Sequence, residues 1–397
     1  MEYYDEFSNE GVTGERPVPQ IEGKMLPKRY MALQNIGEGG FCFVWLCYRF
    51  RDDTFWAVKM FHADERAAGK QEIKLMEKVG KIPGIIHLEE TFEWGRHRCL
   101  VYPLYGKPLC DQNNDAGIVD DYHLPYEAIE SFGNQIENSI HLLYKNCGLI
   151  HTDIRPENIL LKEPSEEHRQ IIESFQYLKP REAYTRTKAK YKSKLMAKAL
   201  SKLSAKLFSL YESSQKIEVP ECSIDEDTEI VIIDLGNAID ITKQNEDIQS
   251  RYYQCPEVML GLPYDYKCDL WSIGCVLYEI ATNDILFDPN DKNGKTHFVC
   301  DHLQQICTVL GEKVPEEMRL VSPKRQKIFI ENSGDIQGFD KEEFQDGKTA
   351  LKKLLTENLD EDHTDTETIL EQLPQRILHY LKYKPEQRGV SNLDMPN

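Results

Sequence analysis

The 397-residue chain reads as an α+β protein in two parts, a small β-rich N-terminal one and a larger helical C-terminal one. Three observations predict this. Residues 29 to 102 are a series of short β-type runs broken by a single helical pattern; residues 126 to 144 repeat apolar side chains at helical spacing; and the chain from Lys267 to Leu381 is mostly helical in pattern. At roughly 100 to 200 residues per domain, the length admits two or three folding units, or one large body with insertions. A hydrophobic share of 40% with 10% aromatics is enough to fill a globular core.

Residues 1 to 28 are acidic and rich in Gly and Pro, with no period, and are expected to form an extended arm. Order is expected from Tyr30, where MALQNIG, FCFVWLCY, TFWAVKMF and RCLVYPL read as strands of a mostly antiparallel sheet and QEIKLMEKV as its one helix. Ile129, Phe132, Ile136, Ile140 and Leu143 then mark the buried face of a helix. Two polar clusters flanked by β-type runs follow, HTDIRPENILL and EIVIIDLGNA. The expected organisation is an arm (1–28), a small lobe (29–102), the first part of a large lobe (103–162), an insertion (163–227) and the rest of the large lobe (228–391).

Charge is segregated along the chain. Residues 179 to 206 hold ten basic side chains and one acidic, so the overall −19 leaves −28 on the remaining 369 residues. Lys190, Lys194, Lys198, Lys202 and Lys206 recur every four residues as one helical ridge, with Leu195, Ala199, Leu203 and Leu207 beside it. Like charges at this spacing weaken an isolated helix by roughly 0.2 to 0.5 kcal/mol per pair. Two readings stand: a solvated helix, or one docked on an acidic surface of this chain or of a partner. The acidic balance disfavours wholesale wrapping of nucleic acid, so direct nucleic-acid binding is not expected, and it favours basic or peptide partners. A nucleic-acid module working through the lysine ridge is the competing class, and it would show salt-sensitive retention lost on deleting 179–206.

Eleven cysteines lie between Cys42 and Cys307 with no CxxC pair, and no run approaches 18 apolar residues. These features predict reduced thiols in a cytoplasmic and nuclear protein away from membranes. The start, MEYYDEFSNE, lacks the basic flank and apolar run of a signal peptide.

Four groups of residues carry chemistry. Gly37-Glu38-Gly39-Gly40-Phe41-Cys42-Phe43-Val44 lies between two expected strands, where glycines let backbone amides approach phosphates; taken alone, such a run is more often merely a turn. It neither opens a helix, as in a dinucleotide fold, nor ends in Gly-Lys-Ser/Thr, as in a P-loop. Lys59, among the apolar neighbours of WAVK, is costly to bury without an anionic partner. Glu72 is the candidate, because it sits beside Ile73 and Met76; Glu65 competes from nearer the helix start. In HTDIRPEN, Asp153 is suited to orient a hydroxyl and take its proton, Arg155 to neutralise a phosphoryl group, Asn158 to offer an amide oxygen to a divalent ion and His151 to pack the loop. Asp234, at the end of the run Val231-Ile232-Ile233, supplies a second hard oxygen, a set that suits Mg²⁺.

With these elements in chain order, the sequence resembles the eukaryotic protein kinases, and the likeness extends from Arg29 to Arg388 apart from the insertion. It rests on Gly37 and Gly39, Lys59, Glu72, Asp153 with Asn158, Asp234-Leu235-Gly236, Cys255-Pro256-Glu257, Asp269-Leu270-Trp271-Ser272-Ile273-Gly274 and Arg388. The resemblance implies a two-lobed kinase-like fold, a buried Glu257–Arg388 ion pair, and transfer of the γ-phosphoryl group from ATP with Mg²⁺. Gly37, Gly39, Gly40, Val44, Lys59 and Glu72 would then serve the nucleotide, Asn158 and Asp234 the metal, and Asp153, Arg155 and Lys59 catalysis. Within the family, HTDIRPENILL, DLGNA, EDIQSRYY, EIATNDILFDPN and DHLQQICTVLG, with the long insertion, are most similar to the SR-protein kinases of the CMGC group. That likeness implies Arg/Ser-rich protein substrates such as splicing factors, held by carboxylates that include Glu312, Glu316, Glu317, Asp335, Asp340, Glu342 and Glu343. Clk-like or dual-specificity kinases, and a pseudokinase scaffold, are the alternatives.

Departures from the pattern carry expectations too. Thr152 and Gln254 stand where many kinases place arginines that clamp a phosphorylated loop, which implies activity without loop phosphorylation. Arg155 replaces a lysine, Cys42 the third loop glycine and Leu235 a phenylalanine. By the same likeness Pro103 and Tyr105 offer a carbonyl and an amide to adenine, and Tyr102, at the gatekeeper position, closes the pocket behind it.

Overall fold

Apolar residues that cluster and alternate with polar ones draw residues 30–61 into three antiparallel strands, β1 (Tyr30–Gly39), β2 (Cys42–Arg49) and β3 (Thr54–Phe61). The computed structural model describes residues 18–110, 123–191, 195–220, 223–243, 248–290, 298–331, 333–339, 344–360 and 363–389. Helix α1 (Arg66–Val79) follows, then the hairpin β4 (Glu90–Trp94) and β5 (His97–Pro103), and the five strands form one sheet of order β1-β2-β3-β5-β4. The sequence pattern misses β4 because only Phe92 of ETFEW is buried; its partner strand supplies the rest of the signal.

The chain divides into two compact units. The smaller gathers residues up to Arg66, Glu90–Val101 and Ile172–Lys216; the larger holds Ala67–Glu89, Tyr102–Ile171 and the chain from Ile217 on. This differs from the expected boundaries in three places. Most of α1 belongs to the larger unit. The end of the expected arm folds: Ile21 and Leu26 are buried in the sheet core with Tyr30, Trp45, Val58 and Met60, and the Gly23 amide bonds to the Ala32 carbonyl at 2.8 Å. Ile21 and Leu26, with partly buried Val18 packed beside the same core, sufficed once a sheet face stood open to receive them.

The third difference is the insertion, which contains α3 (Glu166–Tyr177), α4 (Pro180–Lys190) and α5 (Met196–Ser213). Its middle residues join the small sheet through aromatic rings rather than lysines. Phe175 is fully buried, with its ring 5.2 Å from Tyr48, 6.3 Å from Phe55 and 6.0 Å from Tyr211, and Tyr184 lies 5.3 Å from Phe50. The inward ridge of α5 is Leu200, Ser204, Leu207 and Tyr211, so the expected apolar stripe is displaced by a few residues and Leu195 is exposed. Lys190, Lys198, Lys202 and Lys206 face solvent, but Lys190 ends α4 while the others lie on α5, so the ridge is not one helix; Lys194 falls outside the described residues.

The larger unit is built on α2 (Tyr126–Cys147) and α7 (Lys267–Thr282). α2 buries Ile129, Phe132, Ile136, Ile140 and Leu143, as its periodicity predicts, and α7 is buried from Cys268 to Ala281. Between them come β6 (Leu149–Ile150), β7 (Ile159–Leu161), β8 (Ile230–Ile232), β9 (Ile239–Asp240) and the short α6 (Pro256–Met259). α8 (Phe298–Leu310), α9 (Glu316–Val321), α10 (Arg325–Ile328), α11 (Gly347–Asn358) and α12 (Thr366–Tyr380) complete it, with α12 packed on α7, α11 and α2. Among the described residues no helix is long and apolar enough to cross a membrane.

Candidate active site

Two short ladders in the larger unit assemble most of the expected polar residues. β7 pairs with β8, Ile159 opposite Ile232, and the Ile233 amide extends the ladder to the Asn158 carbonyl at 2.9 Å, so Asn158 and Asp234 stand at the same end of one ribbon. β6 pairs with β9, Ile150 opposite Ile239, and Thr152 Oγ1 donates to the Asn237 carbonyl at 2.9 Å.

Asp153 is fixed by its neighbours. Ser250 Oγ donates to its Oδ1 at 2.6 Å, Asn158 Nδ2 donates to its Oδ2 at 3.1 Å and to its carbonyl at 2.9 Å, and Arg155 Nε lies 3.8 Å from Oδ1. The bonds made by Nδ2 orient the Asn158 amide, so its oxygen points away from Asp153, the geometry a metal-ligating amide needs. Asp234 has left-handed backbone, φ 57°, with Oδ1 accepting from the Gly236 amide at 3.4 Å. Asn158 and Asp234 are therefore a hard-oxygen pair that fits a small divalent cation. Burial works to lower the pKa of Arg155, but Glu157 at 3.7 Å and then Asp153 outweigh it and hold the guanidinium charged.

Buried polar residues support this loop. Asp269, fully buried, accepts from the consecutive amides of His151 and Thr152 at 2.8 and 2.9 Å, which Thr152 makes possible by adopting φ 69°. Burial pushes the Asp269 carboxyl up to about 6, against the pull of His151 and the two amides. His151 Nε2 donates to the Ile233 carbonyl at 3.0 Å, in keeping with a packing role. The expected Glu257–Arg388 pair is present, two parallel bonds of 2.6 and 2.7 Å between buried groups. Leu235 is buried, as an apolar substitute should be.

Residues 248–255 are held by uncharged side chains. Gln249, at φ 67°, donates through Nε2 to the Cys268 carbonyl at 2.8 Å and to Ser272 Oγ at 3.0 Å, and its Oε1 accepts from the Cys255 amide at 3.0 Å. Gln254 Nε2 donates to the Ile248 carbonyl at 3.0 Å. Sequence reasoning missed Ser250 and Gln249. Their partners lie far along the chain, so no local period reports them; the one available signal was a hydroxyl residue inside EDIQSRYY.

In the smaller unit, strand register lines up Gly37, Val44 and Lys59, since Gly37 pairs with Val44 across β1 and β2 and Val44 with Lys59 across β2 and β3. Gly39 pairs with Cys42, and Gly40 with exposed Phe41 makes the turn. Lys59 Nζ lies 5.3 Å from the centre of the Phe61 ring. Glu72, in the larger unit, is buried on α1, whereas Glu65, in the smaller unit, precedes the helix and is half-buried. Past Pro103, Tyr105 is tied down by His168, whose Nδ1 donates to its carbonyl at 3.1 Å. Gly106 donates to the Leu161 carbonyl at 2.8 Å, and a Cβ there would lie 2.3 Å from the Glu163 carbonyl oxygen, so only glycine fits.

The expected carboxylate lining after Leu310 is reduced. Asp335 is paired with Lys313, and Glu317 with Lys384 at 2.8 Å, because basic residues of the same unit reach them first. Glu312 and Glu316 are exposed. Asp340, Glu342 and Glu343 lie outside the described residues.

A five-stranded β unit carrying a glycine turn and a strand lysine, and a helical unit carrying the Asp153, Asn158 and Asp234 loops, define a protein kinase. A sequence model of the protein kinase domain matches residues 30–174 and 223–377, leaving out 175–222, which lie within the insertion. The chain belongs to that family, and with it comes the enzyme class: an ATP-dependent serine/threonine protein kinase that uses a divalent metal. It is 26% identical over 401 residues to a serine/threonine-protein kinase SRPK of Physarum polycephalum, covering 94% of this chain and 86% of that one. It is 28% identical to the serine/threonine-protein kinase AFC3 of Arabidopsis thaliana, covering 77% of this chain and 65% of that one. Identity is 27% to the probable dual specificity protein kinase madd-3 of Caenorhabditis elegans, covering 78% of this chain and 29% of the relative. The chain thus spans less than two thirds of the last two.

Proposed function

We propose that this chain is a cytoplasmic and nuclear kinase that transfers the γ-phosphoryl group of ATP to serines in Arg/Ser-rich proteins of the splicing-factor type, with Mg²⁺ as its metal. In this reading Gly37, Gly39, Gly40 and Val44 cover the phosphates, Lys59 pairs their oxygens with Glu72 as its carboxylate partner, and the Pro103 carbonyl and Tyr105 amide take adenine. Asn158 and Asp234 would hold the ion, which when bound supplies charge neutralisation at the phosphates. Asp153 orients the substrate hydroxyl and takes its proton, and Arg155 offsets charge that develops in transfer.

The observation that carries the catalytic part is the fixing of Asp153: a carboxylate held by Ser250 at 2.6 Å and by Asn158 loses little entropy on meeting a hydroxyl. For regulation, the support is that Gln249 and Gln254 hold residues 248–255 through neutral amides, with no phosphate among the groups that make these bonds. For the substrate, the support is the −28 outside residues 179–206 and the similarity to a serine/threonine-protein kinase SRPK, alongside the motif likeness to the SR-protein kinases. Contacts from each arginine to exposed carboxylates are worth a few tenths to about 1 kcal/mol and are screened by salt.

The test is kcat/KM on equal-length peptides: an Arg/Ser repeat, the same repeat with every Arg changed to Gln, and an acidic casein-type sequence, from about 50 to 300 mM NaCl. The Arg/Ser peptide should be preferred and should lose affinity with salt. Equal values for the Arg and Gln peptides remove the Arg/Ser reading and leave the kinase assignment standing. Phosphorylation of a tyrosine peptide at a comparable rate favours the dual-specificity alternative, and no turnover of any substrate favours the scaffold.

A further inference from the structure

The reading above gives Glu72 one task, to partner Lys59, and within the larger unit the same carboxylate has a further hydrogen bond. Tyr102, buried near the end of β5, donates its hydroxyl to Glu72 Oε1 at 2.6 Å, and the bond lies in the interior. The other oxygen, Oε2, faces Gly236: a Cβ added there would come 3.8 Å from Oε2 and 3.2 Å from Asp234 Oδ1. Glu72 is therefore held between the phenol of Tyr102 and the glycine next to the expected metal aspartate. A phenylalanine would fill the same space. What tyrosine adds is one donor, and a buried phenol aimed at a carboxylate makes a charge-assisted bond, the stronger kind.

We propose that Tyr102 is a positioning residue for the phosphoryl-transfer site: its hydroxyl anchors Glu72, and through it α1, beside Gly236 and Asp234, so that the carboxylate is set in place before nucleotide arrives. The residue at the back of the adenine pocket then does more than limit pocket size. This rests on the reading of Glu72 as the Lys59 partner, and the two fail differently.

The experiment is a double-mutant cycle in the full chain with Tyr102→Phe, Glu72→Ala and both together. It measures kcat/KM for ATP at saturating peptide, KM for peptide at saturating ATP, ADP affinity by calorimetry, and thermal melting. Tyr102→Phe should lower kcat/KM for ATP about tenfold, the low end for losing a hydrogen bond to a charged group, while KM for peptide stays within twofold and melting shifts by only a few degrees. The double variant should be no worse than Glu72→Ala, because the hydroxyl acts only through that carboxylate. Should Tyr102→Phe melt far below wild type, the split between ATP and peptide parameters still decides, since general loosening lowers both.

Tyr102→Phe within twofold of wild type, with Glu72→Ala crippled, overturns the proposal and leaves the Glu72 reading standing. Multiplying effects in the double variant show that Tyr102 acts by another route and overturn it as well. Full activity of Glu72→Ala removes the Glu72 reading and the proposal with it.

Discussion

Replacing Arg388 by methionine tests the central structural claim about the larger unit. The guanidinium makes two bonds of 2.6 and 2.7 Å to Glu257, with side chains 0% and 2% exposed, and also donates to the carbonyls of Lys382, Lys267 and Tyr383 at 2.7, 3.1 and 3.3 Å. Methionine keeps an apolar stem near the Trp271 ring, 5.2 Å from the guanidinium carbon, and removes only the charge and its donors. Glu257 is then left as a buried carboxylate without compensation, which costs about 3 to 5 kcal/mol. Against a typical total of about 5 to 15 kcal/mol, that is a large fraction. For a unit of this size it should lower the melting temperature by roughly 6 to 15 °C. The pair's net worth is smaller than this, because desolvating both ions offsets most of their attraction. Arg388→Met with Glu257→Leu should therefore recover more than half of the loss. The assay is calorimetric melting of wild type, Arg388→Met and the double variant at one pH and salt. A single variant within about 1 kcal/mol of wild type would refute the argument.

Asp153→Asn should lower kcat by about 100-fold or more with ATP affinity nearly unchanged, since the carboxylate acts on the hydroxyl; equal turnover rules it out as the base. Bacterially made protein treated with phosphatase should keep most of its activity, whereas Gln249→Ala should lose both activity and order in 248–255; a tenfold loss on phosphatase treatment, restored by loop phosphorylation, contradicts the amide account. Burial pushes the Glu279 carboxyl up to about 8, with the Tyr253 hydroxyl at 2.6 Å working the other way. Its folded value lies above the unfolded one, so its contribution is complete below about pH 4.5 and is lost as pH rises through about 8. Glu279→Gln, always neutral, should gain on wild type by about 3 kcal/mol between pH 5.5 and 8.5 in melting experiments, at about 1.4 kcal/mol per pH unit, and parallel pH profiles would refute this. Phe175→Ala, at the centre of the insertion's aromatic contacts, should destabilise the smaller unit by about 3 to 5 kcal/mol in urea unfolding; a loss under 1 kcal/mol would mean the insertion is not part of that core.

The sequence by itself determined the elements whose signal is local. Four strands, β1, β2, β3 and β5, and the buried face of α2 followed from apolar spacing. Asp153, Asn158 and Asp234 stood out as hard oxygens flanked by β-type runs, and the order of the motifs named the family. The Glu257–Arg388 pair also came through, but only by likeness, since nothing near Arg388 in the chain points to a carboxylate 131 residues away. Tertiary structure alone decided what depends on contacts between distant segments. The sheet face recruited Ile21 and Leu26 from a stretch that reads as an arm, and it drew the insertion in through Phe175, Tyr184 and Tyr211 although the lysines dominate the pattern. A charge run announces itself in a sequence because it is compact, whereas burial is set by whichever few aromatic side chains find an uncovered surface. Ser250 on Asp153 and Tyr102 on Glu72 are hydrogen bonds of one atom each, made across 97 and 30 residues; such directional contacts have no period, and only the folded backbone brings donor to acceptor.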